Sequence, residues 1–457
     1  MQKKRRTGKQ KVPQKRLTVG FEVEFFVIDK NGKVAPGADL ILAKASERAG
    51  AKPHSIVKEC ATNLVEVGSY PSTESRNTMK DLLENVKLLL YAADECGYGI
   101  YPLGTYPGAF APEMRRDPKY AVQTKLFGKE RFRIAGRCSG YHCHFALPWG
   151  VFDSKELMLK ELSNSKHEKS LVNAYNLLIA LDPALAALMQ SSPFYQGRYI
   201  AKDARMLVYR GSQALGYPKG LYSDFPHFGA LPSYKHTGAG IIRLITHRQR
   251  EWHRKFEAAG IKEKDMPEYR SILDINWSPV KVNAHGTLEQ RGMDMNHLPI
   301  MLSVSVLVER ILRHVYDEYL NVVPHPSARK EPFRLTGKTI YVPPESHVRN
   351  HLQRPAAYDG LKNDDIYAYC RKLVELVKKL EGEKVKWVLK PLETMLEERQ
   401  TTADKVLAQA KSLGYKDTRR PLPQGIASAI ALIHSKQMFQ DIVLLEEMIA
   451  ANEELSS

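Results

Sequence analysis

Gly20-Phe21-Glu22-Val23-Glu24-Phe25-Phe26 decides the reading of this chain. In the wider segment Leu17, Val19, Phe21, Val23, Phe25 and Val27 alternate with Thr18, Gly20, Glu22, Glu24, Phe26 and Ile28. That period of two predicts a strand with one apolar face. Glu22 and Glu24 are two residues apart, so both project from the opposite face. Glutamate is a poor strand former, and two of them among valines and phenylalanines break the local rule. Such breaks concentrate at functional sites.

Three more segments repeat the pattern. In Gly140-Tyr141-His142-Cys143-His144-Phe145-Ala146 the two histidines share one face, while Tyr141, Cys143 and Phe145 share the other. In Thr287-Leu288-Glu289-Gln290-Arg291 the acid and the arginine share a face. Asn63-Leu64-Val65-Glu66-Val67 sets Glu66 between two valines. If these strands lie in one sheet, its polar face gathers four carboxylates, two imidazoles and a guanidinium. Each pair taken singly also fits a solvated strand face. Clustered carboxylates repel and call for cations. Hard divalent ions such as Mg²⁺ take carboxylate oxygens and bridge to phosphates. Zinc is a poorer fit, because no third soft ligand stands at zinc spacing. Two phosphate-loop look-alikes fail: Pro332 occupies the first glycine position ahead of Gly337-Lys338-Thr339, and Arg243 the third after Gly238-Ala239-Gly240.

Around these strands, apolar spacing predicts helices near 79–94, within 153–190, near 300–315 and from 361 onward. Residues 192–240 read as a long loop of the kind that is usually functional. The expected organisation is a basic, disordered tail (1–16), a catalytic body (17–320), a Pro-rich connector (321–360) and a C-terminal helical region (361–457).

The chain has 457 residues, and 68 Lys+Arg against 51 Asp+Glu give +17. Eight of those positive charges lie in the first 16 residues, with no acid among them. The tail is expected to be solvated, with a polyanion contact as the alternative. Five cysteines without a Cys-x-x-Cys pair argue against a disulfide scaffold and a zinc ribbon. No unbroken apolar run reaches the length of a membrane span, the longest being Ile426–Ile433, and no secretory leader is recognisable. A cytoplasmic protein with no membrane partner is expected. Asn276-Trp277-Ser278 matches a glycosylation pattern that has no bearing in that setting.

The segment Gly20–Phe26 resembles the opening strand of the carboxylate–amine ligases of the second glutamate–cysteine ligase family. Gly286-Thr287-Leu288-Glu289-Gln290-Arg291, followed by Asp294, resembles that family's closing acidic strand. Asn63–Val67, Gly104-Thr105-Tyr106-Pro107, His142-Cys143-His144 and Ser192-Pro193-Phe194-Tyr195-Gln196-Gly197 fall between them in matching order. The resemblance implies an α+β, glutamine-synthetase-like fold: a curved, mostly antiparallel sheet with helices on one face, plus C-terminal helices. It implies ATP and Mg²⁺ as cofactors, and an amide-forming reaction of the γ-glutamyl type through an acyl phosphate, with glutamate–cysteine ligation as the best-known activity. Glu22, Glu24, Glu66 and Glu289 would hold metal. His142, His144 and Arg291 would be catalytic, and Arg205, Arg210 and Gln196 would bind substrate or phosphate. The substrates would be an amino acid or other small carboxylate and an amine, and the enzyme a homo-oligomer. Asn63 and Asn276 depart from the family pattern, which expects an acid and an arginine there. The competing expectations are a basic nucleic-acid-associated protein and a ligase fold without ligase activity.

Overall fold

The computed structural model describes residues 16–161, 164–262, 271–275 and 277–454. The basic tail, Arg16 apart, and Asn276 lie outside the described residues. The central sheet has seven strands: β1 (Val19–Ile28), β2 (Ile56–Lys58), β3 (Leu64–Gly68), β4 (Gly99–Tyr101), β5 (Gly140–Ala146), β6 (Val280–Asn283) and β7 (Thr287–Asp294). Their order is β6-β7-β5-β1-β3-β2, with β4 also on β1, and every pairing is antiparallel. The four charged strands foreseen in the sequence are therefore consecutive neighbours, β7-β5-β1-β3.

The apolar residues of these strands face a helical layer. Val19, Phe21, Val23, Phe25, Tyr141, Cys143, Phe145 and Leu288 are buried in one core. With them lie α2 (Ser75–Glu95), α3 (Lys166–Met189) and α6 (Leu298–Asp317). α3 begins where the Ser165 hydroxyl accepts the Glu168 N–H at 3.0 Å, a helix cap. It is apolar on nearly every side, and among the described residues it is the one helix long and apolar enough to cross a membrane. Almost all of it is buried inside the protein, so it is the core helix of this fold. A search for unbroken apolar runs passes over it, because Asn173, Asn176 and Asp182 interrupt the sequence.

The two faces of β1 change character along its length. The first two-thirds carries Glu22 and Glu24 opposite the helices. Phe26 and Ile28 then turn that same face apolar and pack on Tyr101, Tyr106 and Ile430. Ile430 belongs to the last helix, α10 (Gln424–Glu454). Helices thus back one face of the sheet and reach round its end.

The remaining helices among the described residues are α1 (Ala38–Ala49), α4 (Ala204–Arg210), α5 (Gly238–Ala258), α7 (Asp364–Glu381), α8 (Lys386–Glu398), α9 (Thr402–Ser412) and a further helix at Pro118–Phe127, besides shorter helical turns. Two features differ from the sequence reading. The stretch expected as a Pro-rich connector holds a three-stranded sheet, β8 (Asn321–Pro324), β9 (Arg334–Thr336) and β10 (Thr339–Val342), with Ile340 and Val342 buried in the main core. Its prolines sit at strand ends and turns, where a missing N–H costs no ladder bond. The expected loop 192–240 contains α4, whose Asp203 cap accepts the Met206 N–H at 2.7 Å.

Candidate active site

Strand register assembles the polar face. Glu22 is level with His142, Gly20 with His144, and Glu24 with Glu66. Glu289 is level with His144 on one side and with Lys281 on the other. Cross-strand partners share a face, so four strands place their charged side chains on one surface. A register irregularity between Gln290 and Met293 follows the last of them and bends β7.

The distances are short. His144 Nε2 is 3.3 Å from Glu22 Oε2, and His142 Nδ1 is 3.4 Å from the same oxygen. His142 Nε2 is 3.8 Å from Glu24 Oε1, and its Nδ1 is 4.0 Å from Glu289 Oε1. Arg291 Nη1 lies 3.2 Å and Lys281 Nζ 3.7 Å from Glu289, and the Asn283 amide donates to that carboxylate at 2.6 Å. The Gly140 N–H donates to Glu24 Oε2 at 2.6 Å. The His144 ring shares a 3.0 Å hydrogen bond with the Thr287 hydroxyl.

Two groups of ligand atoms stand out. One atom from each of Glu22, His144 and Glu289 lies within 4.8 Å of the others, and the same holds for Glu24, Glu59 and Glu66. The second group is strongly frustrated. Burial, and then the charge of Glu59, push the Glu24 carboxyl up to about 7. Burial pushes Glu66 well above the usual carboxylate range, with Glu22 and Glu59 adding to it. In the first group burial acts against ionisation, but neighbouring charges and hydrogen bonds outweigh it. Glu22 is held low by His144 and His142, and Glu289 by Arg291, Lys281 and the histidines. Burial and the Arg291 charge hold His142 down at about 4, so it is neutral at pH 7. His144 is raised despite burial, because Glu22 and Glu289 face it. The Nε2 atoms of both histidines are buried and make no hydrogen bond. Hard oxygens in excess of cations, together with imidazole nitrogens aimed among them, form a donor set that fits divalent metal ions.

Above the sheet an aromatic stack borders the cluster. The Tyr209 and Trp277 rings are 4.8 Å apart, and Tyr222 and Trp277 5.6 Å. The Arg291 guanidinium lies 5.8 Å from the Trp277 ring centre and that of Arg205 6.0 Å. Arg205 is fully buried, donates to the Met293 carbonyl at 2.9 Å, and its charge opposes the rise at Glu24. A Cβ at Gly140 would collide with its guanidinium, so glycine is what lets the arginine cross β5 beside His142.

The sequence-predicted residues divide accordingly. Glu22, Glu24, Glu66, Glu289, His142, His144 and Arg291 come together, and Arg205 borders them. Arg210 does not join them. Its guanidinium is committed to Asp182 at 2.6 and 2.8 Å and to Gln353 at 2.7 Å, deep in the core. With both terminal nitrogens engaged in this way and the side chain 2% exposed, the guanidinium is not open to a substrate. Gln196 occupies the turn of the small Phe194–Tyr199 hairpin with φ 51°, and it is not among the ligand groups or ion pairs of the cluster. Asn63 is buried and donates to the Gly136 carbonyl at 3.0 Å, tying the turn before β3 in place. Sequence reasoning missed Glu59, which lies in a turn without periodicity. It also missed Lys281 and Asn283, although Val280-Lys281-Val282-Asn283 shows the alternation that would have found them.

This sheet and its helices form the glutamine-synthetase-like ligase fold. A glutamate–cysteine ligase from Francisella tularensis, solved in complex with AMP, superposes with a TM-score of 0.59 at 15% identity, covering 95% of each chain. A bifunctional glutathione synthetase from Pasteurella multocida superposes with a TM-score of 0.54 at 13% identity, over 93% of this chain and 52% of that one. At such identities the likeness concerns the fold. The profile of glutamate–cysteine ligase family 2 matches residues 18–420, and the chain belongs to that family. Proteins provisionally named glutamate–cysteine ligase 2 are similar to it: one from Clavibacter michiganensis subsp. michiganensis is 26% identical over 229 residues, and one from Clavibacter sepedonicus 28% over 230. Each alignment takes in 47% of this chain and 54% of the relative, so the chain spans about half the length of the curated relatives it matches.

Proposed function

We propose that the protein is an ATP- and Mg²⁺-dependent carboxylate–amine ligase. The observation that carries this reading is the pair of ligand groups, Glu22/His144/Glu289 and Glu24/Glu59/Glu66, side by side on one sheet face. Glu22, Glu24, Glu66 and Glu289, with Glu59 and His144, would hold the ions. Bound there, Mg²⁺ would supply positive charge to the phosphates of ATP.

The reaction that suits this face has two displacements. A substrate carboxylate oxygen attacks the γ-phosphorus, the bond to the bridging oxygen breaks, and ADP leaves with the electron pair. The amine nitrogen then attacks the acyl carbon, the C–O bond breaks, and phosphate leaves as the amine sheds a proton. Both steps move negative charge between oxygens, so electrostatic stabilisation governs the rate. Arg291, fixed between Glu289 and Trp277, offers a charge that cannot be lost at neutral pH. Neutral His142 presents an unshared lone pair beside Arg291 and Glu24. Tyr209 and Arg205 of α4 and Trp277 border the face and would limit the access of water to an acyl phosphate. Residues 17–320 supply all of these groups and make up the catalytic body, buttressed by the helices of 361–454.

Glutamate as the acid and cysteine as the amine are the first pair to test. ADP release with Mg²⁺·ATP should rise with one acid–amine pair and fall to background in Glu24→Gln and Glu289→Gln. Full activity in both variants would sink the site assignment.

A further inference from the structure

α10 carries apolar residues on its outer, solvent-facing side as well as on its inner one. Its inner side, with Ile430, Met438, Leu445 and Ile449, is buried. Its outer side still exposes Ile433 (41%), Phe439 (51%), Val443 (55%) and Leu444 (47%). A surface helix ordinarily puts polar residues there, and a contiguous apolar patch on a soluble chain marks a contact surface. Two charges frame the patch. Lys436 and Glu447 are exposed, and neither makes an ion pair among the described residues. They are eleven residues apart, about 16 Å along a helix, too far to reach each other within one chain.

We infer that this face is self-complementary and that a second copy of the chain covers it. In an antiparallel pair of α10 helices, a two-fold axis crossing between Asp441 and Ile442 sets Lys436 level with the partner's Glu447. The same axis repeats that pair at the other end, as an isologous contact requires. It also lays Phe439 beside the partner's Val443, with the partner's Leu444 at the same height, so apolar side chains meet in the middle and opposite charges meet at both rims. The basic tail is a poor occupant, since among residues 1–15 only Met1, Val12 and Pro13 are apolar. Glu446, the neighbouring acid, is already committed to Lys87 of its own chain, which leaves Glu447 for the partner.

Sedimentation velocity of the full chain over a wide concentration range tests this. A reversible monomer–dimer equilibrium is expected. Val443→Glu should raise its dissociation constant at least about tenfold, and Lys436→Glu and Glu447→Lys should each raise it severalfold, by setting like charges opposite each other. The double variant, with both charges exchanged, should return to nearly the wild-type value. All three positions face solvent in the monomer, so an unchanged far-UV circular dichroism spectrum is the folding control. A chain that stays monomeric at every concentration overturns the inference. So does a dimer indifferent to both single charge reversals, or a double variant no tighter than the singles. Dimerisation that appears only after residues 1–15 are removed also overturns it, because the tail would then be the native cover.

Discussion

Replacing Arg210 by methionine separates a structural arginine from a substrate-binding one. Arg210 and Asp182 are 2% and 0% exposed, and the guanidinium meets both carboxylate oxygens at 2.6 and 2.8 Å. Gln353 takes a further donor at 2.7 Å. The site is cut to the arginine: a Cβ at Gly292 would lie 2.6 Å from its Nη2. Methionine keeps most of the stem's packing but leaves Asp182 as a buried, uncompensated charge. Breaking such a pair by removing one partner costs about 3–5 kcal/mol. The cost should read out in urea titration as a large fall in midpoint, with the slope little changed. Adding Asp182→Asn should recover part of the loss, because the orphaned charge is then gone. Residual ADP release, measured well below the midpoint, should stay close to wild type. A midpoint that hardly moves, with activity abolished, would refute the reasoning and return Arg210 to the substrate.

Other consequences follow from the same geometry. Glu24→Gln removes a carboxyl that burial and Glu59 already disfavour as an anion, so in EDTA the variant should melt at or above the wild-type temperature. Mg²⁺ should then raise the melting temperature of the wild type more than that of the variant, as differential scanning calorimetry would show. His434, buried between His297 and Gln409, is held at about 3 by burial and by His297. The unfolded chain protonates this residue near 6.5 and the folded one does not, so stability is intact above about 6.5 and falls toward pH 3, by up to about 1.4 kcal/mol per pH unit. Denaturant midpoints of His434→Asn should fall less steeply over that window; an equally steep fall would mean that another group sets the acid limb. Leu178→Ala, at a fully buried position of α3, should cost about 2–5 kcal/mol by chemical denaturation.

The parts of the molecule visible in the sequence are those where a period of two is written into side-chain chemistry. β1 and β5 set charge against valine, phenylalanine or tyrosine, β7 sets it against leucine and methionine, and register turned three separate patterns into one surface. Glu66 was found because a lone acid between valines is out of place in a strand. Glu59 was invisible because a turn has no period, and only the fold of the chain before β3 brings it to Glu24. Arg205 and Arg210 look alike in sequence, five residues apart on one short helix, about one and a half turns. The structure sends one to Asp182 in the core and the other across Gly140 to the carboxylates, and spacing holds no record of that choice. The sheet at 321–342 was hidden by its prolines, which read as a connector although they sit where a short strand tolerates them. α3 was obscured by its few polar residues, among them Asp182, which Arg210 neutralises from another part of the chain.

The central claim is that the carboxylate face works on ATP to join an acid to an amine. Its most direct test is ADP release by the full chain with ATP and Mg²⁺, across acids and amines singly and in pairs. The account predicts stimulation by one acid–amine pair, with a product whose mass equals their sum less one water, and none of it in Glu289→Gln. Absence of stimulation by every pair, together with no binding of Mg²⁺·ATP by calorimetry, would contradict it.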